Sequence, residues 1–217
     1  MASKTAYITT PIYYVNDKPH IGHAYTTLAC DVLARFKRLD GYDVKFLTGT
    51  DEHGQKVEKS ALAAGIEPQQ FTDNVSQNFR DLADFMNYTH DDFIRTTEPR
   101  HKAACQAIWK RLYDAGDIYL GSYAGWYAVR DEAFYGEGEL IKRSDGKRTA
   151  PSGADVEWIE EPSYFFRLSA WEDRLLKFYH DNPDFILPRT RRNEVVSFVK
   201  GGLQDLSVSR TTFKWGV

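Results

Sequence analysis

The chain has 217 residues and a formal net charge of −3, with 42% hydrophobic, 14% aromatic and 27% charged residues. This balance is typical of a globular protein and argues against disorder. A chain of this length can bury about 70% of its unfolded surface without disulfides or metals. Since there is no basic excess, any contact with RNA must use local patches.

Cysteine content and hydropathy limit the cellular setting. The two cysteines, Cys30 and Cys105, are too few for a disulfide framework or a four-cysteine zinc site, and their helical contexts predict buried free thiols. No apolar run approaches the ~20 residues of a membrane span, and residues Met1 to Tyr7 lack the apolar segment of a signal peptide. We therefore expect a cytoplasmic protein that has no membrane partner.

The first part of the chain alternates between strand and helix patterns. A β-branched and aromatic strand is predicted from Ala6 to Tyr14, and a helix from about Gly22 to Asp40. A second strand is predicted over Val44 to Leu47, followed by a helix from Gln55 to Ala64. This order predicts a βαβ unit, and hence a parallel sheet whose ligands lie beyond the carboxyl ends of its strands.

Apolar periodicity predicts which helix faces are buried. On the first helix the predicted core stripe is Leu28, Val32, Phe36 and Leu39. A longer helix is predicted to begin at Pro68, and its predicted buried stripe is Phe71, Val75, Phe79, Leu82 and Met86.

The composition and the predicted secondary structure change in the second half of the chain. A helix is predicted from about Glu98 to Ala115, after which Gly121 to Pro162 is rich in glycine and aromatic residues. That composition predicts hairpins and turns, and thus an inserted β-rich subdomain. Helical patterns return over Ser169 to Tyr179 and Asn193 to Leu203.

Two loops follow predicted strands, and the first carries a pair of histidines. His20 and His23 flank Gly22 where the first helix begins. A helix start offers free N–H groups and partial positive charge, Gly22 allows close approach of a ligand, and two imidazoles add donors. This pattern predicts a phosphate site without a P-loop. The alternatives are a surface helix-capping pair and a pair of metal ligands.

The second loop carries carboxylates. Asp51 follows the second strand, where it can hold an ammonium group or a magnesium ion. The alternative is that Asp51 caps the next helix, with Glu52 in the favourable first turn. A metal-dependent hydrolase built on His20, His23, Asp51 and His53 is a further alternative.

Taken together, these motifs resemble the methionyl-tRNA synthetases, a family of class I aminoacyl-tRNA synthetases. The resemblance rests on seven segments in this order: Pro11-Ile12-Tyr13-Tyr14, His20-Ile21-Gly22-His23, Thr48 to Gly54, Arg95 to His101, Trp126-Tyr127, Glu161 to Phe166, and Ser197 to Arg210. It covers nearly the whole chain.

The resemblance implies an α/β fold: the first half of a class I Rossmann-like, parallel-sheet catalytic domain with an inserted α+β connective-peptide subdomain. Residues 1–116 are then expected to form the first half of the catalytic domain and residues 117–205 the insertion. Residues 206–217 are expected to begin the second half of the catalytic domain.

The resemblance also implies an activity and its site. The activity is ATP-dependent activation of L-methionine to methionyl-adenylate, with transfer to the 3′ end of methionine tRNA and Mg²⁺ accompanying ATP. The implied catalytic residues are His20, His23 and Arg210, where Arg210 lies near the reacting carboxylate and phosphate. The implied ATP-binding residues are Tyr13, His20, Gly22 and His23. The implied methionine-binding residues are Ile12, Tyr13, Tyr14 and Asp51, of which Asp51 binds the ammonium.

Two departures from the family pattern lead to further expectations. The predicted insertion has no cysteine, so we expect no metal site and no structural zinc, and a core formed by Trp126, Tyr127, Phe134, Tyr135 and Trp158. The Lys-Met-Ser-Lys-Ser loop and the anticodon-binding domain of the family are missing. We therefore expect an amino-terminal segment that needs the remainder of the synthetase chain for catalysis. The alternative is an inactive fragment that acts as a binding module.

Basic clusters leave one more question open. They are Lys142-Arg143, Lys147-Arg148 and Arg189 to Arg192. They are interpreted either as solvated surface or as contacts of the insertion with the tRNA acceptor end.

Overall fold

The structure is a computed structural model that describes residues 4–131, 133–143, 146–211 and 213–217. The described residues divide into two compact units. One contains the residues up to Gln106 together with Phe213–Val217, and the other those within Ala107–Thr212. The predicted limits of catalytic domain and insertion stay a prediction.

The first unit is built on a four-stranded sheet around a central strand. In chain order its elements are β1 (Thr5–Thr9), β2 (Tyr13–Tyr14), α1 (Ile21–Leu39), β3 (Asp43–Asp51), α2 (Gln55–Ala64), α3 (Pro68–Phe85) and β4 (Asp92–Arg95). Strand β3 pairs in parallel with β1, β2 and β4. The predicted parallel α/β arrangement is confirmed.

The predicted strand from Ala6 to Tyr14 is two strands in the structure. The Thr10 amide still donates to the Leu47 carbonyl at 3.1 Å, but Pro11 has no N–H to continue the ladder. Pairing with β3 resumes where Tyr13 faces Thr50 and Tyr14 faces Asp51. At Gly49, one residue before Thr50, β3 approaches β4 so closely that a Cβ would lie 2.0 Å from the Ile94 carbonyl oxygen. Glycine is therefore required at this position.

The bounds of α1 agree with the prediction, but the predicted buried face is wrong. The buried residues are Thr27, Asp31 and Ala34, whereas Val32 is 58% exposed and Leu39 is 88% exposed. The polar side chains can be buried because they have partners. Asp31 Oδ1 accepts hydrogen bonds from both the amide and the hydroxyl of Thr89, each at 2.6 Å.

The buried face of α3 is also shifted from its prediction. Among the five predicted residues only Phe79 is buried, and the other buried positions are Thr72, Ser76 and Ala83. The Thr72 and Ser76 hydroxyls donate to the Gln69 and Asp73 carbonyls of their own helix, which satisfies them inside the core.

One apolar cluster connects these elements beneath the predicted site. It consists of Tyr13, Val15, Val57 and Phe79, contributed by β2 and the segment after it, by α2 and by α3. Burial of such side chains contributes about 1.5–3 kcal/mol each, so the carboxyl end of β2 is firmly held.

The second unit is mainly antiparallel. Helix α4 (Pro99–Asp114) leads into a sheet whose strands are β5 (Ile118–Ala128), β6 (Ala133–Tyr135), β9 (Glu157–Phe166) and β10 (Leu206–Ser207). Their order in the sheet is β10-β9-β5-β6. A separate ribbon is formed by β7 (Ile141–Lys142) and β8 (Arg148–Thr149), and two helices follow β9, α5 (Glu172–Asp181) and α6 (Arg189–Lys200). The prediction that this part of the chain is rich in β-strands is confirmed.

The expected aromatic core of the insertion is only partly correct. Tyr127 is buried and its ring lies 4.7 Å from that of Phe134, but Trp158 is 56% exposed. A buried cluster instead consists of Ala128, Ala150 and Ala154, against which Tyr135 packs. Within this cluster the Ala150 amide donates to the Ala154 carbonyl at 2.8 Å.

Two further findings concern the cysteines and the helices. Cys30 and Cys105 are free, as predicted, but each is only partly buried. Among the helices of the described ranges, none is both long enough and apolar enough to cross a membrane.

Candidate functional site

His20 and His23 form a reciprocal cap at the start of α1. His20 is the N-cap residue, and its Nδ1 accepts a hydrogen bond from the Gly22 amide at 3.1 Å. In return, His23 Nδ1 accepts a hydrogen bond from the His20 amide at 3.1 Å. The ring centroids lie 3.9 Å apart. The capping interpretation of this pair is therefore confirmed, and it does not compete with ligand binding, because it uses only one nitrogen of each ring.

Gly22 also has a role within the cap, besides the predicted one. A Cβ at this position would lie 2.8 Å from His20 Cε1 and 3.0 Å from His20 Nδ1. The missing side chain thus provides space for the His20 imidazole to fold back over the helix start. A direct contact between Gly22 and ATP stays a prediction.

The expected free backbone donors at this helix start are already used. The Gly22 amide donates to the His20 ring, and the amides of His23 and Ala24 donate to the His20 carbonyl at 3.0 and 3.3 Å. That part of the prediction is wrong for these three groups. Because Nδ1 of both rings accepts a hydrogen bond, a neutral ring carries its proton on Nε2. The imidazole Nε2–H groups are therefore the donors that the cap leaves for a ligand.

The protonation state of His23 supports this arrangement. Burial, with a further contribution from the neighbouring His20, holds the pKa of His23 below its ordinary value of 6.5. The neutral form, which the cap requires, is thereby favoured at neutral pH. His20 itself is exposed, and His23 is partly exposed, so that both rings can be reached from solvent.

A titration tests this assignment. We expect the His23 ring, followed by NMR, to titrate with a midpoint below 6.5, and the midpoint to rise in His20→Asn yet stay below 6.5, since burial is the larger cause. Between the lowered pKa and 6.5 the folded state binds fewer protons than the unfolded chain, so the free energy of unfolding should fall as pH falls through that window. A midpoint at or above 6.5 would contradict the assignment.

Tyr13 connects the histidine pair to the sheet. Its hydroxyl lies 2.7 Å from Thr27 Oγ1 and donates to the His23 carbonyl at 3.3 Å. Its ring meets the His23 ring edge to face at 4.7 Å and stacks on Phe79 at 5.7 Å. Burial raises the pKa of Tyr13, so the phenol stays protonated and available as a donor. Tyr13 is thus built into the scaffold of the cap.

The next residue, Tyr14, lies opposite Asp51 in the register of β2 and β3. The predicted methionine-binding residues Tyr13, Tyr14 and Asp51 are therefore brought together at the carboxyl end of the sheet. Ile12, the fourth of them, precedes β2 and is 42% exposed. The alternative in which Asp51 caps α2 is wrong, because the N-cap residue of α2 is Gly54, which makes no side-chain cap bond.

The Glu52 carboxylate lies at the centre of a buried hydrogen-bonded cluster that the sequence analysis did not predict. Its side chain is fully buried, and Oε1 accepts hydrogen bonds from Thr50 Oγ1 at 2.8 Å and from Arg95 Nε at 2.7 Å. Oε2 accepts a hydrogen bond from Thr97 Oγ1 at 2.5 Å. The sequence signal was Arg95-Thr96-Thr97, which begins at the carboxyl end of β4 beside that of β3.

Arg210, the remaining predicted catalytic residue, belongs to the second unit. Its Nη1 donates to Ser207 Oγ and to the Ser209 carbonyl, each at 2.8 Å, and its guanidinium lies 5.2 Å from the Phe134 ring centre. Its role in catalysis stays a prediction.

No metal centre accounts for these residues. Throughout the described ranges, no three His, Cys, Asp or Glu side chains are grouped so that they could hold a metal ion. The hydrolase alternative, which needs His20, His23, Asp51 and His53 around one ion, therefore has no support.

Comparison with known proteins identifies the family. A family model described as tRNA synthetases class I (M) matches residues 6–217. This chain belongs to the methionyl class I tRNA synthetases. The expected fold class is confirmed by a solved structure of Mycobacterium tuberculosis methionyl-tRNA synthetase in complex with methionyl-adenylate. That structure superposes with a TM-score of 0.91 at 55% identity, covering 99% of this chain and 42% of its own.

Curated relatives carry the name of the same family, and their lengths can be compared with the length of this chain. The methionine–tRNA ligase of Rickettsia felis is 67% identical over 213 residues, which are 98% of this chain and 41% of the relative. The ligase of Rhizobium meliloti is 62% identical over 211 residues, 97% of this chain and 41% of the relative. The chain thus spans about two fifths of the length of these relatives.

Proposed function

We propose that the polypeptide containing this chain is a methionine–tRNA ligase, which activates L-methionine with ATP and transfers it to the 3′ end of methionine tRNA. The observation that carries this is the joint placement of the His20–His23 cap and Asp51, connected by Tyr13 and Tyr14 of one short strand. A phosphate-binding group and an ammonium-binding group therefore face the same end of the sheet.

The chemistry of activation needs positioning and charge stabilisation. The carboxylate of methionine attacks the α-phosphorus of ATP, the bond to the bridging oxygen breaks, and pyrophosphate leaves. No enzyme nucleophile takes part, so preorganised donors at the phosphates are the main means of lowering the barrier. The Nε2–H groups of His20 and His23 supply such donors, supported by the positive end of a 19-residue helix. Mg²⁺ accompanies the ATP phosphates, and no residue of this chain is assigned to it.

Methionine is proposed to bind between its ammonium partner and an aromatic wall. Asp51 holds the ammonium, and Ile12 and Tyr14 line the space for the thioether. A sulfur–aromatic contact to Tyr14 is worth about 0.3–1.5 kcal/mol. The partial exposure of Ile12 and Tyr14 leaves them accessible to a substrate.

The remainder of the synthetase is proposed as the partner of α1. The apolar stripe of α1 includes Val32, Phe36 and Leu39, whose side chains are all more than half exposed. A large exposed apolar face is typical of an interface. The relatives are longer than this chain, and their additional residues provide a segment that can cover this face of α1.

We place the enzyme in the cytoplasm, where tRNA charging takes place.

Contact between the second unit and the tRNA acceptor end is proposed for the basic clusters of that unit. Several of these side chains already have carboxylate partners: Arg148 pairs with Glu137 and Arg191 with Glu194, both at 2.7 Å. Exposed ion pairs of this kind contribute only about 0–1 kcal/mol, so phosphates can compete for these guanidinium groups.

Amino-acid-dependent exchange of pyrophosphate into ATP tests the function. We expect the full-length polypeptide to exchange pyrophosphate with methionine and not with leucine or isoleucine. We expect the 217-residue chain alone to be inactive or nearly so. Absence of methionine-dependent exchange in the full-length polypeptide would exclude the proposal. Thermal shift of the short chain by methionine with ATP separates a competent site from a segment that only binds other molecules.

A further inference from the structure

The turn from β3 to α2 is held by more than the strand pairing around it. It consists of Asp51, Glu52, His53 and Gly54, and its first residue is the proposed ammonium partner. The Asp51 carbonyl accepts a hydrogen bond from the Val15 amide at 3.3 Å, and the Glu52 amide donates to Thr96 Oγ1 at 2.8 Å. The peptide group that follows Asp51 is therefore bound on both of its sides.

Trp215 binds the rest of the turn. Its indole Nε1 donates to the Glu52 carbonyl at 2.5 Å, and its own carbonyl accepts a hydrogen bond from the Gly54 amide at 3.1 Å. The indole ring lies 5.4 Å from the His53 ring and packs against the apolar cluster that contains Tyr13. One residue, 163 positions from Glu52 in sequence, thus binds the turn through side chain and backbone together.

The Glu52 carboxylate fixes the turn from the opposite side. Successive side chains of a strand alternate between faces, so Thr50 and Asp51, the last two residues of β3, lie on opposite faces. Glu52 follows the strand and is hydrogen-bonded to Thr50. The buried carboxylate accepts hydrogen bonds from Thr50, Thr97 and Arg95, and Arg95 is oriented by a second hydrogen bond, from Nη2 to Asp73 Oδ1 at 2.6 Å. This charge has no exposed surface, yet none of its partners is a residue assigned to substrate.

We infer that Glu52 and Trp215 are positioning residues for methionine, and that they fix the backbone on either side of Asp51 so that its carboxylate meets the ammonium. This inference rests on the proposed function. It assigns a purpose to a buried charge that stability alone explains poorly, because buried ion pairs are often no more stabilising than apolar residues of similar volume. Displacement of a binding group by even about 1 Å can cost a large factor in activity.

The test removes single hydrogen bonds with the smallest available change in side-chain shape. Trp215→Phe deletes the indole N–H and retains an aromatic ring, and Thr97→Val deletes one donor to Glu52. In the full-length enzyme we expect each variant to raise the KM for methionine about 3- to 10-fold in pyrophosphate exchange, the range for one lost hydrogen bond. The KM for ATP and kcat at saturating methionine should change less than about 2-fold. Trp158→Phe, a matched control in β9, should change neither KM.

The outcomes separate this inference from the proposed function. A parent enzyme without methionine-dependent exchange removes both. A parent that exchanges, with variants whose methionine KM stays within about 2-fold, removes the positioning role alone. Equal increases in both KM values together with a lowered melting temperature would show a merely structural role and would also overturn the inference. A selective rise in the methionine KM in Trp215→Phe and Thr97→Val supports it.

Discussion

Replacement of His23 by alanine should slow methionyl-adenylate formation about 10²- to 10³-fold in the full-length enzyme, with little change in methionine affinity. The reason is that a preorganised donor aimed at developing phosphate charge contributes about 3–4 kcal/mol to the transition state. The cap fixes His23 Nδ1 as an acceptor and so leaves Nε2–H for that charge. Pyrophosphate exchange measures the rate, and calorimetry measures methionine binding.

The structural role of His23 calls for a control, because alanine also removes the reciprocal bond to the His20 amide. Loss of a cap costs about 0.5–2 kcal/mol of stability. Glutamine at the third helical position can accept the same amide bond, so His23→Gln should regain much of the stability while the rate stays low. His180→Ala, an exposed histidine of α5, should leave the exchange rate unchanged. Near-normal exchange in His23→Ala would refute the assigned role.

Local sequence signals were sufficient for the elements that position the site. Periodicity and the stop at Gly41, whose φ is +80°, predicted α1 to within a residue or two. The alternation of strand and helix predicted the parallel sheet, and therefore that the loops after β2 and β3 meet at one edge. Those two inferences depend only on neighbouring residues, which explains their success.

What could not be predicted depends on partners that are distant in sequence. Burial of Asp31 on α1 requires Thr89, 58 positions away, to satisfy its carboxylate. The buried cluster around Glu52 was not predicted, because its partners Arg95 and Thr97 lie 43 and 45 positions further along the chain. In the sequence analysis Glu52 entered only in the alternative, as a residue in the first turn of the next helix. A polar residue in a helix or turn is predicted to be exposed as long as its hydrogen-bond partner is not known. For this reason hydropathy predicted that the wrong face of α1 is buried.

We expect the replacement of Asp51 by alanine to abolish detectable methionine binding. The proposed partner is an ammonium withdrawn from water, and removal of one member of a buried ion pair costs about 3–5 kcal/mol, or at least about 10²-fold in affinity. Asp51→Asn keeps the shape but removes the charge, so it too should bind methionine far more weakly. These effects should exceed those of Trp215→Phe, which leaves the carboxylate in place.

Calorimetry of methionine binding to the full-length enzyme makes the measurement, with Asp43→Ala as the matched control. Asp43 begins the same strand and is exposed, so its loss should leave affinity unchanged. ATP binding should also survive in Asp51→Ala, because the His20–His23 cap belongs to a different element. Unchanged methionine affinity in Asp51→Ala would move the ammonium site elsewhere. It would also remove the reason for a turn in which each backbone group from the Asp51 carbonyl to the Glu52 carbonyl is bound by a distant residue.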